Sequence, residues 1–148
     1  MDKILNDNIT AQVKQVFEDQ LKHPVKVLFF GRQAGCDTCS DTRQLVEEVA
    51  AVSDKLLVEV YDIEKDAEVA RQFNVDKTPG LVLAAFDDGQ VIDYGVRFAG
   101  IPSGHEFSTL IHDLVLVSGR DSGLSPETRT ALKQLDKPIH LQVFVTPT

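Results

Sequence analysis

The sequence predicts an α/β fold in which a central four-stranded mixed sheet carries helices on both faces. In the first half of the chain, amphipathic helical stretches alternate with apolar strand-like runs, an order that builds a right-handed parallel crossover. Further on, the Asp-Asp-Gly turn at 87–89 joins two apolar runs, which is the strongest short-range signal of an antiparallel hairpin. A crossover followed by a hairpin defines a layered α/β fold.

The helices are predicted from apolar residues that recur at helical spacing. In 7–21 these residues form one stripe that Asp7 or Asn8 can cap, and this helix is an addition in front of the first strand. A second helix begins near Asp37 and runs to about residue 50, with its apolar positions on one face. Two more helices are predicted, at 64–73 and 104–117.

The strands are predicted from short runs of apolar, β-branched and aromatic residues. Residues 25–30 form such a run directly after Pro24, and their composition indicates a strand buried within the sheet. The other predicted strands lie at 55–61, 80–86 and 90–94. Because the first and third of the four should be central, we expect the runs at 55–61 and 90–94 to form the edges of the sheet.

Both cysteines of the chain lie at the junction of the first predicted strand and the second predicted helix, as Cys36-Asp37-Thr38-Cys39. A thiol at a helix N-terminus lies near N–H groups without intrahelical partners, which stabilise its thiolate. Cys39 lies one helical turn deeper, within reach to close a disulfide. The spacing therefore predicts redox chemistry, with Cys36 as the attacking thiol and Cys39 as the resolving thiol.

Three other interpretations of the cysteine pair stay open. A zinc site would need ligands from the four histidines, and none of these falls at the short spacing of zinc modules. A purely structural disulfide would constrain the unfolded chain very little, because the loop it closes is so short. The cysteines could also be buried and inert. We expect the redox role and no metal site.

Composition excludes several classes of partner. The 148 residues suit one domain and carry a formal net charge of −8, which repels nucleic acids and anionic membrane surfaces. The longest apolar run, 81–86, is far too short to cross a bilayer. The first residues lack the apolar core of a signal peptide. We therefore expect a cytoplasmic protein, in which a cysteine pair is more often catalytic than structural.

Three landmarks in order resemble the thioredoxin fold over residues 7–117. The first is the Cys-x-x-Cys motif, the second is Thr78-Pro79 at the position of the family's cis-proline, 40 residues after Cys39, and the third is the glycine loop 98–101. The resemblance implies a cis Thr78–Pro79 bond and a redox-active Cys36–Cys39 disulfide that needs no other cofactor. It assigns substrate binding to Gly35, Thr78, Pro79 and Gly100, and tuning of the motif to Arg32, Asp37 and Thr38.

A closer resemblance is to the two-unit, glutaredoxin-like protein disulfide oxidoreductases. Residues 95–107 and the final string 141–148 look like segments of that family, in which the string runs into a second Cys-x-x-Cys. Phe30, six residues before Cys36, stands where thioredoxins carry a buried acid, and the chain has no Trp. The Gly-Gly signature of glutathione-binding glutaredoxins is absent after Pro79, so we do not expect glutathione binding.

An internal repeat supports the two-unit interpretation. Residues 20–30 align with residues 134–144 at an offset of 114, with Gln, Leu, Pro and the last Phe identical. The repeat predicts a helix at 125–135 and a strand at 139–145. We expect residues 1–117 to be the redox unit, and 118–148 to be a linker, the helix and the first strand of a truncated second unit. An apolar strand without its module is expected to self-associate through residues 139–145.

The predicted function is thiol–disulfide exchange on protein disulfides or dithiols, with a mixed disulfide at Cys36 that Cys39 resolves. An electron donor similar to thioredoxin reductase is the expected partner. The alternative is an interaction unit that scaffolds a more reactive active site in a missing C-terminal half. Arg32 and Lys77 could favour the thiolate, whereas Asp37 would oppose it.

Overall fold

A computed structural model of the chain describes residues 2–146, which contain one four-stranded sheet and five helices. In chain order the elements are α1 Asp7–Gln20, β1 Val25–Gly31, α2 Cys39–Ala50, β2 Leu56–Asp62, α3 Ala67–Gln72, β3 Gly80–Asp87, β4 Gln90–Ala99, α4 His105–Gly119 and α5 Pro126–Lys133. Of the helices in this range, none is both long and apolar enough to cross a bilayer.

The sheet is mixed, with strand order β2-β1-β3-β4. β1 pairs parallel with β2 and antiparallel with β3, and β3 pairs antiparallel with β4. The predictions of a parallel crossover, a hairpin and edge strands at β2 and β4 are therefore confirmed. The register sets Gly80 of β3 against Phe30 of β1, so the loop before β3 and the loop after β1 lie at the same end of the sheet.

Helices cover both faces of the sheet, as predicted, but unequally. One face packs against α1, α2 and α4, and its core includes Val27 and Phe29 of β1. The opposite face packs against α3 alone, around Leu28, Phe30 and Phe73. Alternate residues of β1 thus enter two separate cores, which is why the strand is apolar at nearly every position.

Several boundaries differ from the predicted ones for local reasons. Asn6, not Asp7 or Asn8, caps α1, because its side-chain oxygen accepts the Ile9 N–H at 2.9 Å. α2 begins at Cys39 rather than near Asp37, and α3 is shorter than predicted. β4 runs five residues beyond its predicted end at 94, because the ladder with β3 resumes after a shift in register.

The end of α4 holds the start of the sheet in place. The helix continues through Gly119, past the predicted boundary at 117, and Ser118 is fully buried. The Ser118 hydroxyl accepts the N–H groups of Lys22 and His23, at 2.8 and 3.0 Å, and donates to the His23 carbonyl at 2.7 Å. This one side chain satisfies three backbone groups of the turn between α1 and β1.

The C-terminal segment corrects one prediction. α5 forms as expected, with Ser125 as its cap and Pro126 in its first turn. The strand predicted at 139–145 is not formed: residues 136–146 contain no helix or strand, and their side chains are exposed. A strand needs a neighbour for its backbone groups, and within residues 2–146 none lies beside this segment. Residues 147–148 of the predicted final string lie outside the described residues.

Candidate functional site

The two cysteines form a disulfide whose partners lie in different environments. Their Cα atoms are 5.5 Å apart. Cys36 lies in an irregular segment and is partly buried, whereas Cys39 is the first residue of α2 and is only 7% exposed. Cys39 belongs to the core under α2, and Cys36 packs against the border of that core. An incoming sulfur therefore has access to Cys36 first.

Two glycines shape the loop between β1 and the disulfide. At Gly31, the last residue of β1, an added Cβ would lie 2.8 Å from the Phe29 ring and 3.6 Å from the Cys39 sulfur. At Gly35 the backbone has φ +73°, a left-handed conformation that disfavours side chains. Sequence reasoning included Gly35 in the site but missed Gly31, whose signal was a glycine closing the strand before the motif.

The helix start lies after Cys36 rather than at it. Thr38 is the N-cap of α2, yet its side chain makes no capping hydrogen bond. Its carbonyl accepts both the N–H and the hydroxyl of Thr42, at 2.9 and 2.7 Å. The Cys36 carbonyl accepts the Cys39 N–H at 3.5 Å, which folds the motif into a turn. Because the field of a helix end falls off within one turn, its effect on Cys36 is smaller than at the cap itself.

The Thr78–Pro79 peptide bond is cis, as the family resemblance implied. Pro79 is buried, and its carbonyl accepts the Gly100 N–H at 2.9 Å, with Gly100 at φ +98°. At Gly80 an added Cβ would lie 2.7 Å from the Lys77 carbonyl oxygen, so only glycine fits there. These contacts bring the predicted substrate-binding residues Thr78, Pro79 and Gly100 together.

The charged residues predicted to tune the motif have other partners. The Arg32 guanidinium lies 3.8 Å from the Glu64 carboxylate. Lys77 lies 2.8 Å from Asp76, and this hydrogen bond lowers the pKa of the Asp76 carboxyl. Asp37 is exposed. In the described part of the chain, neither cation donates a hydrogen bond to a cysteine sulfur, so both act on the disulfide only through space.

An open groove of about 520 Å³ reaches the buried cysteine from the β2 side. Sequence reasoning missed it, because its walls come from three separate elements. The backbone N–H groups of Lys65 and Glu64 lower the pKa of the Asp62 carboxyl in this groove. The lining residues are Phe29, Gly31, Arg32, Gln33, Cys39, Ser40, Arg43, Val60, Tyr61, Asp62, Lys65 and Asp66. None of the His, Cys, Asp and Glu side chains in residues 2–146 form a group of three that could hold a metal ion.

Comparison with known families decides the class. Residues 24–112, which contain the disulfide, the cis-proline and the glycine loop, match the thioredoxin domain. The chain belongs to the thioredoxin domain family. A protein disulfide oxidoreductase from Aeropyrum pernix shares 27% identity with this thioredoxin domain and superposes with a TM-score of 0.75, over 90% of this chain and 57% of its own.

Curated relatives are much longer proteins. This chain is 30% identical to an NADH dehydrogenase of Bacillus subtilis and 28% identical to the AhpF-type component of the alkyl hydroperoxide reductase of Staphylococcus epidermidis, each over 98% of this chain. The chain spans about a quarter of the length of these relatives, 25% in each case. The N-terminal domain of Enterococcus faecalis alkylhydroperoxide reductase AhpF, at 22% identity and a TM-score of 0.76 over 90% of this chain and 62% of its own, shares the fold.

The predictions of a thioredoxin-like fold and of a thiol–disulfide oxidoreductase are therefore confirmed. The disulfide joins the two cysteines that the sequence singled out, and the cis bond is where it was predicted. The individual roles of Gly35, Thr78 and Gly100 in substrate binding, and of the tuning residues, stay predictions.

Proposed function

We propose that this thioredoxin domain exchanges disulfides with protein substrates, with Cys36 attacking and Cys39 resolving. The observation that carries the proposal is the difference in burial within one disulfide: Cys36 is partly buried, and Cys39 is 7% exposed. A nucleophilic thiolate has to reach a sulfur on another protein, whereas the resolving thiolate has to reach only its neighbour.

The exchange proceeds in two balanced steps. The Cys36 thiolate attacks one sulfur of a substrate disulfide, forms a mixed disulfide and releases the other substrate sulfur as a thiolate. The Cys39 thiolate then attacks the Cys36 sulfur, closes the intramolecular disulfide and releases the first substrate sulfur. Two electrons pass from the dithiol to the substrate, and the two protons lost by the cysteines go to solvent and the released thiolates. Run backwards, the same steps donate a disulfide.

The loop around the cis-proline supports a site for an extended substrate chain. Within residues 2–146 the backbone groups of Thr78 make no hydrogen bond, although the residue is only partly exposed. Next to it, the Pro79 carbonyl is already taken by Gly100. Backbone groups that are left unpaired beside a reactive sulfur can bind the backbone of a peptide. Thr78 is therefore the residue proposed to align the substrate with Cys36.

For the longer protein, we propose that a nicotinamide-linked reductase similar to thioredoxin reductase supplies the electrons. The support is that the relatives matching this chain over nearly its whole length are named as an NADH dehydrogenase and as an alkyl hydroperoxide reductase component. We also propose that the redox unit ends with α4, and that α5 with residues 134–148 opens a second unit, as the internal repeat suggests. The cytoplasm is the proposed compartment.

The first experiment is insulin-disulfide reduction by the reduced chain. Cys36→Ser should abolish turnover, whereas Cys39→Ser should accumulate a mixed disulfide that a thiol reductant releases. Ser40→Ala, which changes an exposed residue next to Cys39, is the matched control and should react like wild type. Alkylation of the reduced chain at neutral pH should label Cys36 first. Preferential labelling of Cys39 would reverse the two roles, and slow turnover by the intact pair would favour the scaffolding alternative.

A further inference from the structure

The two edges of the sheet differ in how well they are protected against an added strand. Along β4 the ladder with β3 shifts register between Leu83 and Ala85, and Gly95 has φ +85°. Asp93 and Arg97 form an ion pair of 2.6 Å across this distortion, and the Arg97 guanidinium also donates to the Phe73 carbonyl. Bulges and paired charges of this kind are the usual devices that prevent strands from adding to an edge.

β2 has none of these devices. Its seven residues stay in continuous register with β1, from Val25↔Leu56 to Gly31↔Asp62. The strand contains no glycine or proline and no residue with positive φ. Its outer edge carries no partner strand in the described range, and two of its apolar side chains, Leu57 and Val60, are 39% and 42% exposed. A regular, apolar and unpaired edge of this kind is a template for strand addition.

The same chain contains a segment with the matching properties. Residues 139–145 are also seven in number, and each of their apolar side chains is 60–88% exposed: Ile139, Leu141, Val143, Phe144 and Val145. This segment is the repeat of β1, since residues 20–30 align with 134–144. β1 is the strand that pairs with β2 on its inner edge. The exposed segment therefore carries the sequence pattern that β2 already accepts on one side.

We propose that the outer edge of β2 binds residues 139–145 of a second copy of this chain as an added strand. The occupant is a second copy because in the single chain the segment lies unpaired beyond α5, with its side chains in solvent. Mutual exchange of the segments closes a two-fold dimer and leaves no free end for further growth. If the added strand runs parallel, as β1 does, Val143 lies beside Val60 at the groove that leads to Cys39.

The test compares one substitution at the two edges. Val60→Lys on β2 and Ile92→Lys on β4 place the same charge at residues of similar exposure, 42% and 39%. The mass of each variant in solution is measured by light scattering over a dilution series. We expect the unmodified full-length chain to be a dimer, Val60→Lys to raise the dimer dissociation constant by at least about 10-fold, and Ile92→Lys to leave it unchanged.

A second variant and a second measurement make the test independent of folding defects. Val143→Lys changes a side chain that is 84% exposed, so it should leave the fold intact and raise the dissociation constant as Val60→Lys does. Hydrogen exchange should show residues 56–62 and 139–145 protected in the dimer and exposed on dilution. A chain that is monomeric at every concentration, protection of 139–145 within a monomer, or equal dissociation by Ile92→Lys would each overturn the proposal.

Discussion

β1 and residues 139–145 share a sequence pattern and differ in structure. Both follow a helix that ends in Gln-Leu, both are preceded by a proline after a basic residue, and both contain the same aligned Phe, which is Phe30 in β1 and Phe144 in the tail. Phe30 is fully buried and Phe144 is 88% exposed. Because β1 has β2 and β3 as neighbours and the tail has none in the described range, the comparison shows that a strand pattern forms a strand only where partners exist.

The turns that lead into the two segments differ in the same way. The turn before β1 is held by Ser118, whose hydroxyl bonds to three backbone groups of Lys22 and His23. The equivalent turn at 136–138 is exposed. Further along, Lys26 of β1 bonds to Glu59 at 2.6 Å and lies 4.2 Å from the centre of the Phe86 ring, whereas the aligned His140 is exposed. Each of these tertiary contacts of β1 is thus one that the tail lacks.

The largest effect is expected from truncating the aligned phenylalanines. Phe30→Ala should lower the free energy of unfolding by about 3–5 kcal/mol, because it removes a ring that is fully buried and stacks on Tyr61 at a centroid distance of 5.2 Å. Phe144→Ala should change it by less than about 0.5 kcal/mol, because the ring is already in solvent. Urea denaturation at a fixed low protein concentration measures both. Comparable losses would show that the tail is part of the folded unit.

A smaller effect is expected from the hydroxyl that fixes the turn before β1. Ser118→Ala leaves two buried N–H groups and one carbonyl without their partner, so the free energy of unfolding should fall by about 1–3 kcal/mol. Ser108→Ala in the same helix removes an exposed hydroxyl that bonds only to the His105 carbonyl, and it serves as the control. A loss at Ser118 no larger than that at Ser108 would mean that packing alone fixes this turn.

Most of the fold was predictable because its signals are local. The Asp-Gly turn located the hairpin, and helical spacing located the helices. The errors arose where a distant contact decides the outcome. β4 continues past residue 94 because β3 is there to pair with it, α4 continues past residue 117 because Ser118 has the β1 turn to bind, and the strand at 139–145 fails because it has no neighbour in the described range.

The candidate site divides in the same way. The cysteine pair and the cis-proline were predictable because a short motif at fixed spacing carries each of them. Gly31 and the groove beside Cys39 were not, because the space they occupy is defined by Phe29, Val60 and the start of α2 together. A pattern within one stretch of chain contains no information about such a three-sided boundary.

The smallest effect is a pH dependence that β1 should have and the tail should lack. Hydrogen bonds from Lys26 and from Tyr61 lower the pKa of the Glu59 carboxyl in the folded chain. The bond to Glu59 also raises the pKa of Tyr61 to about 12, with burial adding to it. A carboxyl whose pKa is depressed by folding contributes stability above its unfolded pKa, about 4.3 for Glu, and loses it as the pH falls through the folded pKa.

The variant that removes this contribution is Glu59→Gln. Because the Glu59 side chain is 40% exposed, solvent screens the pair, and we expect it to contribute less than about 1 kcal/mol at neutral pH. The difference in unfolding free energy between wild type and Glu59→Gln should therefore shrink as the pH is lowered below about 5, and ultraviolet titration of Tyr61 in the variant should move its pKa back towards about 10. His140→Gln, at the tail position aligned with Lys26, should leave both measurements unchanged. A difference that stays constant with pH would show that Glu59 stabilises β2 by packing rather than by its charge.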